Sequence, residues 1–89
     1  MNPLLTISYK PTFVRQYSKL VPELQAEVKR AIALFAKNPR HPSLRVHKLK
    51  GKLKQFFSFS VNYQYRIVFM YESKKNATLL AVGDHDVYR

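Results

Sequence analysis

Three side chains in this sequence carry groups that could break a phosphodiester bond, and a fourth could help to hold the substrate. They are His47, Arg66, His85 and Tyr88. Histidine titrates near neutrality, so one imidazole can remove a proton while another delivers one. In RNA that pairing has a direct use. One imidazole takes the proton of a ribose 2′-hydroxyl, and the freed oxygen attacks the adjacent phosphorus. A guanidinium stabilises the charge growing on the phosphate, and the second imidazole protonates the departing 5′-oxygen. Asp84 and Asp86 flank His85 in sequence and would favour its charged form, which suits an acid. Tyr88 would orient the phosphate or stack on a base.

Each of these residues also has an ordinary reading. Arg66 would pair with Glu72 or with a backbone carbonyl, His47 on a basic loop would face solvent, and His85 near the last residue would be idle. His41, between Arg40 and Pro42, reads as a surface residue. Asp84, His85 and Asp86 alternate as metal ligands can, but three residues of a tail are weak evidence, and neither a metal nor a cofactor is expected. The sequence has no Gly-rich phosphate loop, zinc-ligand spacing or serine-triad motif. By spacing alone the signal is suggestive rather than specific.

The element that must position Arg66 is the stretch Phe56 to Tyr71. It is nearly free of charge, rich in aromatic and β-branched residues, and holds no Gly or Pro, which is the composition of strands. Asn62 near its middle is a turn residue, so two antiparallel strands are expected over about 56–62 and 64–72. Alternation puts Gln64, Arg66, Val68 and Met70 on one side and Tyr65, Ile67, Phe69 and Tyr71 on the other. The second set is bulkier and suits a core, so Arg66 is expected on the opposite, open side. A charge there is costly to bury and needs a reason.

The flanking elements follow from the same rules. Residues 4–9 read as a first strand. Thr12 reads as the N-cap of a helix whose apolar face is Phe13, Tyr17, Leu20 and Val21. Pro22 ends that helix near Val21 and opens a second. Glu23 and Glu27 sit toward the positive end of the second helix and Lys29, Arg30 and Lys37 toward the other. Its stripe is Leu24, Val28, Ala31, Ile32 and Phe35, and it stops at Asn38-Pro39. Residues 39–46 form a loop with two prolines. Lys74-Lys75-Asn76 reads as a turn, Ala77–Val82 as the last strand, and Gly83 as its breaker. The order β-α-α-β-β-β predicts an α+β fold, with a two-helix hairpin packed on one face of a mostly antiparallel four-stranded sheet. If the last strand pairs beside the second strand of the hairpin, His47 and His85 both fall near Arg66.

The charge balance bounds the partners. Sixteen Lys and Arg stand against five Asp and Glu, a formal +11 over 89 residues. All five acids lie outside Val28–Tyr71, and ten of the basic residues lie within it. Such a field attracts polyanions, whether nucleic acid, an acidic protein or an anionic membrane surface. Lys48, Lys50, Lys52 and Lys54 alternate after His47. If extended they form one phosphate-facing comb, and if looped they form a solvated cluster; with Arg45 they are the candidate RNA- and phosphate-binding residues. The sequence has no Cys and hence no disulfide framework. No apolar run is long enough for a membrane helix and no signal-peptide pattern opens the sequence, so a single domain in a reducing cytoplasm is expected.

The chain also resembles the RelE/ParE superfamily of type II toxin–antitoxin toxins over essentially its whole length. The matching pieces are His47-Lys48-Leu49-Lys50-Gly51, then Tyr65-Arg66-Ile67-Val68-Phe69, then Val82-Gly83-Asp84-His85-Asp86-Val87-Tyr88. The resemblance implies the same order of elements and a ribosome-dependent mRNA endonuclease, an mRNA interferase, held inactive by an acidic antitoxin. It further implies His47 as general base, as in the YoeB-like and YafQ-like branch, with Arg66 stabilising the phosphate, His85 as acid or phosphate ligand, and Tyr88 as the aromatic that completes the site. RelE itself uses strand lysines after the glycine motif. Counted without gaps from Gly51, those positions are Phe57 and Phe59, which places the chain nearer the histidine-using branch. Two other readings remain: a ParE-like poison of DNA gyrase, which needs no acid–base pair, and a basic RNA-binding protein without catalysis, which needs only the charge.

Overall fold

The computed structural model describes residues 4–51 and 55–84. Two helices lie on one face of a five-stranded sheet. The elements are β1 (Thr6–Tyr9), α1 (Pro11–Ser18), α2 (Pro22–Lys37), a 3-10 turn (Pro42–Leu44), β2 (His47–Lys48), β3 (Phe57–Ser60), β4 (Tyr65–Ser73) and β5 (Asn76–Asp84). The sheet order is β1-β5-β4-β3-β2. All pairings are antiparallel except β1 with β5. The expected α+β arrangement is therefore present, with one strand more than the four anticipated. The extra strand is the two-residue β2, too short to leave a period in the sequence.

Prolines set both helix starts. Lys10 and Val21 are extended, with ψ of 153° and 154°, because a following proline disfavours the helical conformation. Pro11 and Pro22 then occupy the first turn, where a missing N–H costs nothing. Thr12 is thus inside α1 and not its cap, and its hydroxyl accepts from Arg15 at 3.1 Å. The helix also ends earlier than Val21. The Ser18 hydroxyl donates back to the Arg15 carbonyl at 2.8 Å, and Val21 serves as the residue before α2. The two helices are tied by Gln25, whose amide donates to the Tyr17 carbonyl at 3.0 Å.

The core is an aromatic stack between α2 and the central strands. Phe35 lies 4.4 Å from Phe59 and 4.7 Å from Phe69, centroid to centroid. Val28, Ala31, Leu44, Ile67, Leu79 and Val82 close around it. On β3 and β4 the residues facing α2 are Phe57, Phe59, Ile67 and Phe69, so Ser58, Ser60, Arg66 and Val68 face the other way. The expected facing of Arg66 is met.

Two further expectations change. Gly83 does not end the last strand, which runs on to Asp84, and Gly83 itself pairs with Arg66. Beyond the end of β1, the Gln16 side chain accepts from the Val82 N–H at 2.8 Å and so satisfies a backbone donor on the uncovered edge of β5. Lys48 and Lys50 do not share one extended strand. Strand geometry stops at Lys48, and Gly51 turns the chain with φ of +69°. Lys52 and Lys54 lie outside the described residues. No helix among the described residues is long and apolar enough to cross a membrane.

The aromatic stack gives the first expected outcome. Phe35→Ala leaves a cavity against two rings and should cost about 3–5 kcal/mol, a large part of the stability of so small a domain. Urea denaturation followed by circular dichroism measures it, and a loss below about 1 kcal/mol would mean that the stack is not the core's centre.

Candidate functional site

The open face of the sheet is assembled by register. His47 pairs with Ser58, Ser58 with Val68, and Val68 with Ala81. Two pairs further on, Ser60 faces Arg66 and Arg66 faces Gly83. Directly paired residues share a face, so His47, Ser58, Ser60 and Arg66 lie on the same side. His47 is two strands and two residues from Arg66, roughly 12 Å between Cα atoms from ordinary strand spacings. That gap is wide enough to admit a group the size of a phosphate between the two side chains. Lys48 pairs with Phe57 and so belongs to the other side, and Lys50 follows it outside any strand. Lys48 therefore adds to the field without joining the Arg66 face.

Arg66 is partly buried and held by uncharged acceptors. One guanidinium nitrogen donates to the Ser60 hydroxyl at 3.2 Å and to the Asn62 carbonyl at 3.4 Å. The side chain therefore leans over β3 toward the turn of the hairpin. Glu72, an alternative partner from sequence, instead accepts from Thr78 at 3.0 Å. Arginine has five N–H donors, and those not used here remain for an anion. Gly83, its neighbour on β5, places no side chain beside it, as suits a close ligand approach.

Asn62 fixes this arrangement. Its side-chain oxygen accepts from the backbone of Gln64 at 2.9 Å and Tyr65 at 2.8 Å, a local turn of the type asparagine favours. Its amide nitrogen donates to Glu27 of α2 at 2.9 Å. Glu27 lies past the first turn of α2, so its use is to anchor the hairpin and not to complement the helix end. The sequence marked Asn62 as a turn residue. Nothing in spacing marked it as the support of Arg66, since Glu27 is 35 residues away.

His47 is exposed, and its ring is fixed through Nδ1, which lies 3.0 Å from the Arg45 carbonyl. A carbonyl only accepts, so Nδ1 carries the proton and Nε2 of the neutral ring keeps its lone pair. Arg45 supplies that carbonyl from a left-handed conformation, φ 49° and ψ 45°, at the end of the 3-10 turn. Arg45 and Arg66 meet across a pocket of about 360 Å³, lined also by Ser43, Ser60, Asn62 and Tyr63. His41 is not idle surface. Its Nδ1 accepts from the Ser43 backbone at 3.2 Å and caps the 3-10 turn.

Ser58 was not singled out by sequence. Its hydroxyl is fully buried and has no hydrogen-bond partner among the described residues. His85 and Tyr88 lie outside the described residues, as does Asp86. What the structure gives is the end of β5: Asp84 stands opposite Tyr65, one pair beyond Arg66 and Gly83. Among the described residues no cluster of ligating side chains is placed to hold a metal.

A second, larger concavity of about 810 Å³ lies between Leu5, Pro39, Arg40, His41, Arg45, Val46, Tyr71 and Lys74. Burial raises the Tyr71 hydroxyl above its ordinary pKa, and the Arg40 guanidinium offsets this in part.

Residues 16–85 match the model of the HigB-like toxin family, the RelE-like toxin of the type II toxin–antitoxin system HigB. The chain belongs to that family. No curated relative matches this toxin in sequence. Solved structures share its fold. YafQ from E. coli strain BL21(DE3) is 17% identical, with a TM-score of 0.73 over 92% of this chain and 94% of that one. The YoeB/ParE toxin from Agrobacterium tumefaciens is 13% identical, with a TM-score of 0.74 over 91% and 99%. The toxin–antitoxin complex RelBE2 from Mycobacterium tuberculosis contains a chain 25% identical, with a TM-score of 0.69 over 94% and 93%.

Two outcomes test the site's construction. Ser58→Ala removes an unsatisfied buried hydroxyl and should raise stability by about 1 kcal/mol, read from the urea midpoint. A loss instead would mean that the hydroxyl has a partner. Arg45→Gly relieves a left-handed arginine, so stability should stay within about 1 kcal/mol of the original. A loss of several kcal/mol on the same urea curve would mean that the arginine side chain itself supports the fold.

Proposed function

We propose that this toxin is an endoribonuclease that cuts messenger RNA on the ribosome and is held inactive by an acidic antitoxin. The observation that supports it best is the placement of His47 and Arg66 on one sheet face, two strands apart, with His47 Nδ1 occupied by a carbonyl. In this reading His47 Nε2 removes the 2′-hydroxyl proton. The 2′-oxygen attacks phosphorus and the bond to the 5′-oxygen breaks, leaving a 2′,3′-cyclic phosphate. Arg66 stabilises the charge on the equatorial oxygens. His85 donates the proton to the 5′-oxygen, and Tyr88 orients the substrate. Arg45 and the lysines 48, 50, 52 and 54 draw in the RNA by their charge.

The partner follows from charge and from kinship. With a net charge of +11 the toxin favours an acidic antitoxin over a basic one. The RelBE2 structure is that of a toxin–antitoxin complex. The free toxin is proposed to be a cytoplasmic monomer.

The test is inducible expression in a bacterial host with primer extension on a translated message. Wild type should arrest growth and leave new ends within codons. Arg66→Ala and His85→Ala should do neither. His47→Ala should slow cleavage by about 10²–10⁴-fold and flatten the acid side of the pH–rate profile, because the base works only when unprotonated. Arrest by both the Arg66 and His85 variants at equal expression would sink the nuclease site. Arrest by wild type with a DNA-damage response and no cleavage would point to gyrase instead.

A further inference from the structure

Glu27 is an acid whose partner is uncharged. In a chain with sixteen Lys and Arg, its carboxylate accepts from the side-chain amide of Asn62 at 2.9 Å. Arg30 stands at the spacing of a helix ion pair, yet the bond runs across to the β3–β4 hairpin. Asn62 is an unusual residue to hold, because every one of its polar groups is engaged. Its side-chain oxygen accepts from the backbone of Gln64 and Tyr65, and its N–H donates to the Tyr65 carbonyl at 3.5 Å. Its own carbonyl accepts from the Arg66 guanidinium at 3.4 Å. The amide that meets Glu27 is the group that ties this turn to another element.

The support behind Glu27 is firm. Val28 beside it is fully buried, and Ala31 and Phe35 follow on the same buried face of α2. Direct contacts thus run from the core through Glu27 and Asn62 to the guanidinium. A concavity of about 360 Å³ opens beside the bond, lined by Glu27, Arg30, Leu44, Ser60 and Asn62 among others. The hairpin is therefore not packed flush against α2 at this point, and a directional bond has to hold it.

We propose that Glu27 is a positioning residue for phosphodiester cleavage: by holding Asn62 it sets the aim of the Arg66 guanidinium at the scissile phosphate. This role rests on the reading of Arg66 as the group that stabilises charge on the phosphate. Two effects of that arginine then separate. Attraction of RNA depends on the charge, which a small shift of the side chain leaves unchanged. Stabilisation of the transition state depends on where the donors point, and a misplacement of about 1 Å costs up to about 10²-fold. Glu27 thus acts on rate and not on affinity.

The test is single-turnover cleavage of a message on bacterial ribosomes by the whole chain, with the rate followed against toxin concentration. Glu27→Ala should lower the maximal rate roughly 10- to 100-fold and leave the half-saturating concentration unchanged. Glu27→Gln keeps an oxygen that accepts from the Asn62 amide and should keep the wild-type rate. Asn62→Asp retains the acceptor of the turn but sets two carboxylates against each other, and should be slow. Adding Glu27→Gln to Asn62→Asp restores the bond with donor and acceptor exchanged, and should recover much of the rate. Melting curves of each variant report whether the fold is intact. Glu27→Ala cleaving at the wild-type rate would overturn the positioning role and leave the nuclease reading standing. A raised half-saturating concentration at an unchanged maximal rate would overturn it too, by assigning Glu27 to binding. So would a slow but folded Glu27→Gln, since the charge and not the bond would then matter. If Glu27→Ala melts below the assay temperature, the comparison of Asn62→Asp with the exchanged pair decides, and no recovery overturns the role. Absence of cleavage by folded wild type would remove the nuclease reading itself.

Discussion

Strand alternation around the Phe35 stack governs this molecule. Phe59 and Phe69 must meet Phe35, and Ile67 lies between them in the same buried layer. Once those side chains are committed to α2, the intervening positions have no choice of side. Ser58, Ser60 and Arg66 go to the other face, and β2 brings His47 there through its pairing with Ser58. A slip of one residue in the β3–β4 register would move Arg66 into the core and two phenylalanines into water. The aromatic burial that stabilises the fold thus also orients the one cation of β4. Stability and site are specified by the same periodicity.

The same constraint explains what the sequence disclosed. The hairpin, the second helix with its proline start, and the facing of Arg66 were all legible. Each depends on a local period or on a single punctuating residue. What was not legible depends on contacts between distant segments. β2 has two residues and no period of its own, and it exists because β3 offers an edge. Gly83 reads locally as a breaker, but β4 supplies a partner in Arg66 and carries the strand through it. Glu27 reads as a helix-end charge, and its real partner is Asn62. Ser58 is unremarkable in sequence, since a serine in a strand is ordinary. It becomes notable only through burial without a partner among the described residues.

The charge pattern gains meaning in the same way. A count of basic residues predicts attraction to polyanions but does not say where one would bind. Lys48 belongs to the opposite face and Lys50 follows the end of β2. Arg66 differs from them by being held. Its two acceptors are neutral, so they orient the guanidinium without cancelling its charge. A carboxylate partner would have fixed it equally well and left less positive potential for a phosphate. Arg45 differs from them in another way, because its left-handed backbone turns its carbonyl toward His47 while its side chain lines the pocket it shares with Arg66.

That carbonyl also decides between the two described histidines. Both bond within their own loop to a residue two positions away, yet in opposite senses. His41 Nδ1 receives an N–H from Ser43, so the neutral ring carries its proton on Nε2, and its Nδ1 lone pair is already engaged. His47 Nδ1 faces an oxygen that cannot donate, so its proton sits there and the lone pair on Nε2 is free. Only the second arrangement leaves a ring lone pair of the kind the proposed base requires, and His47 shares its sheet face with Arg66. The distinction could not be drawn from residue type, since both are histidines in one basic segment. It follows from whether a donor or an acceptor of the backbone meets the ring, and hence from the turn that Arg45 completes.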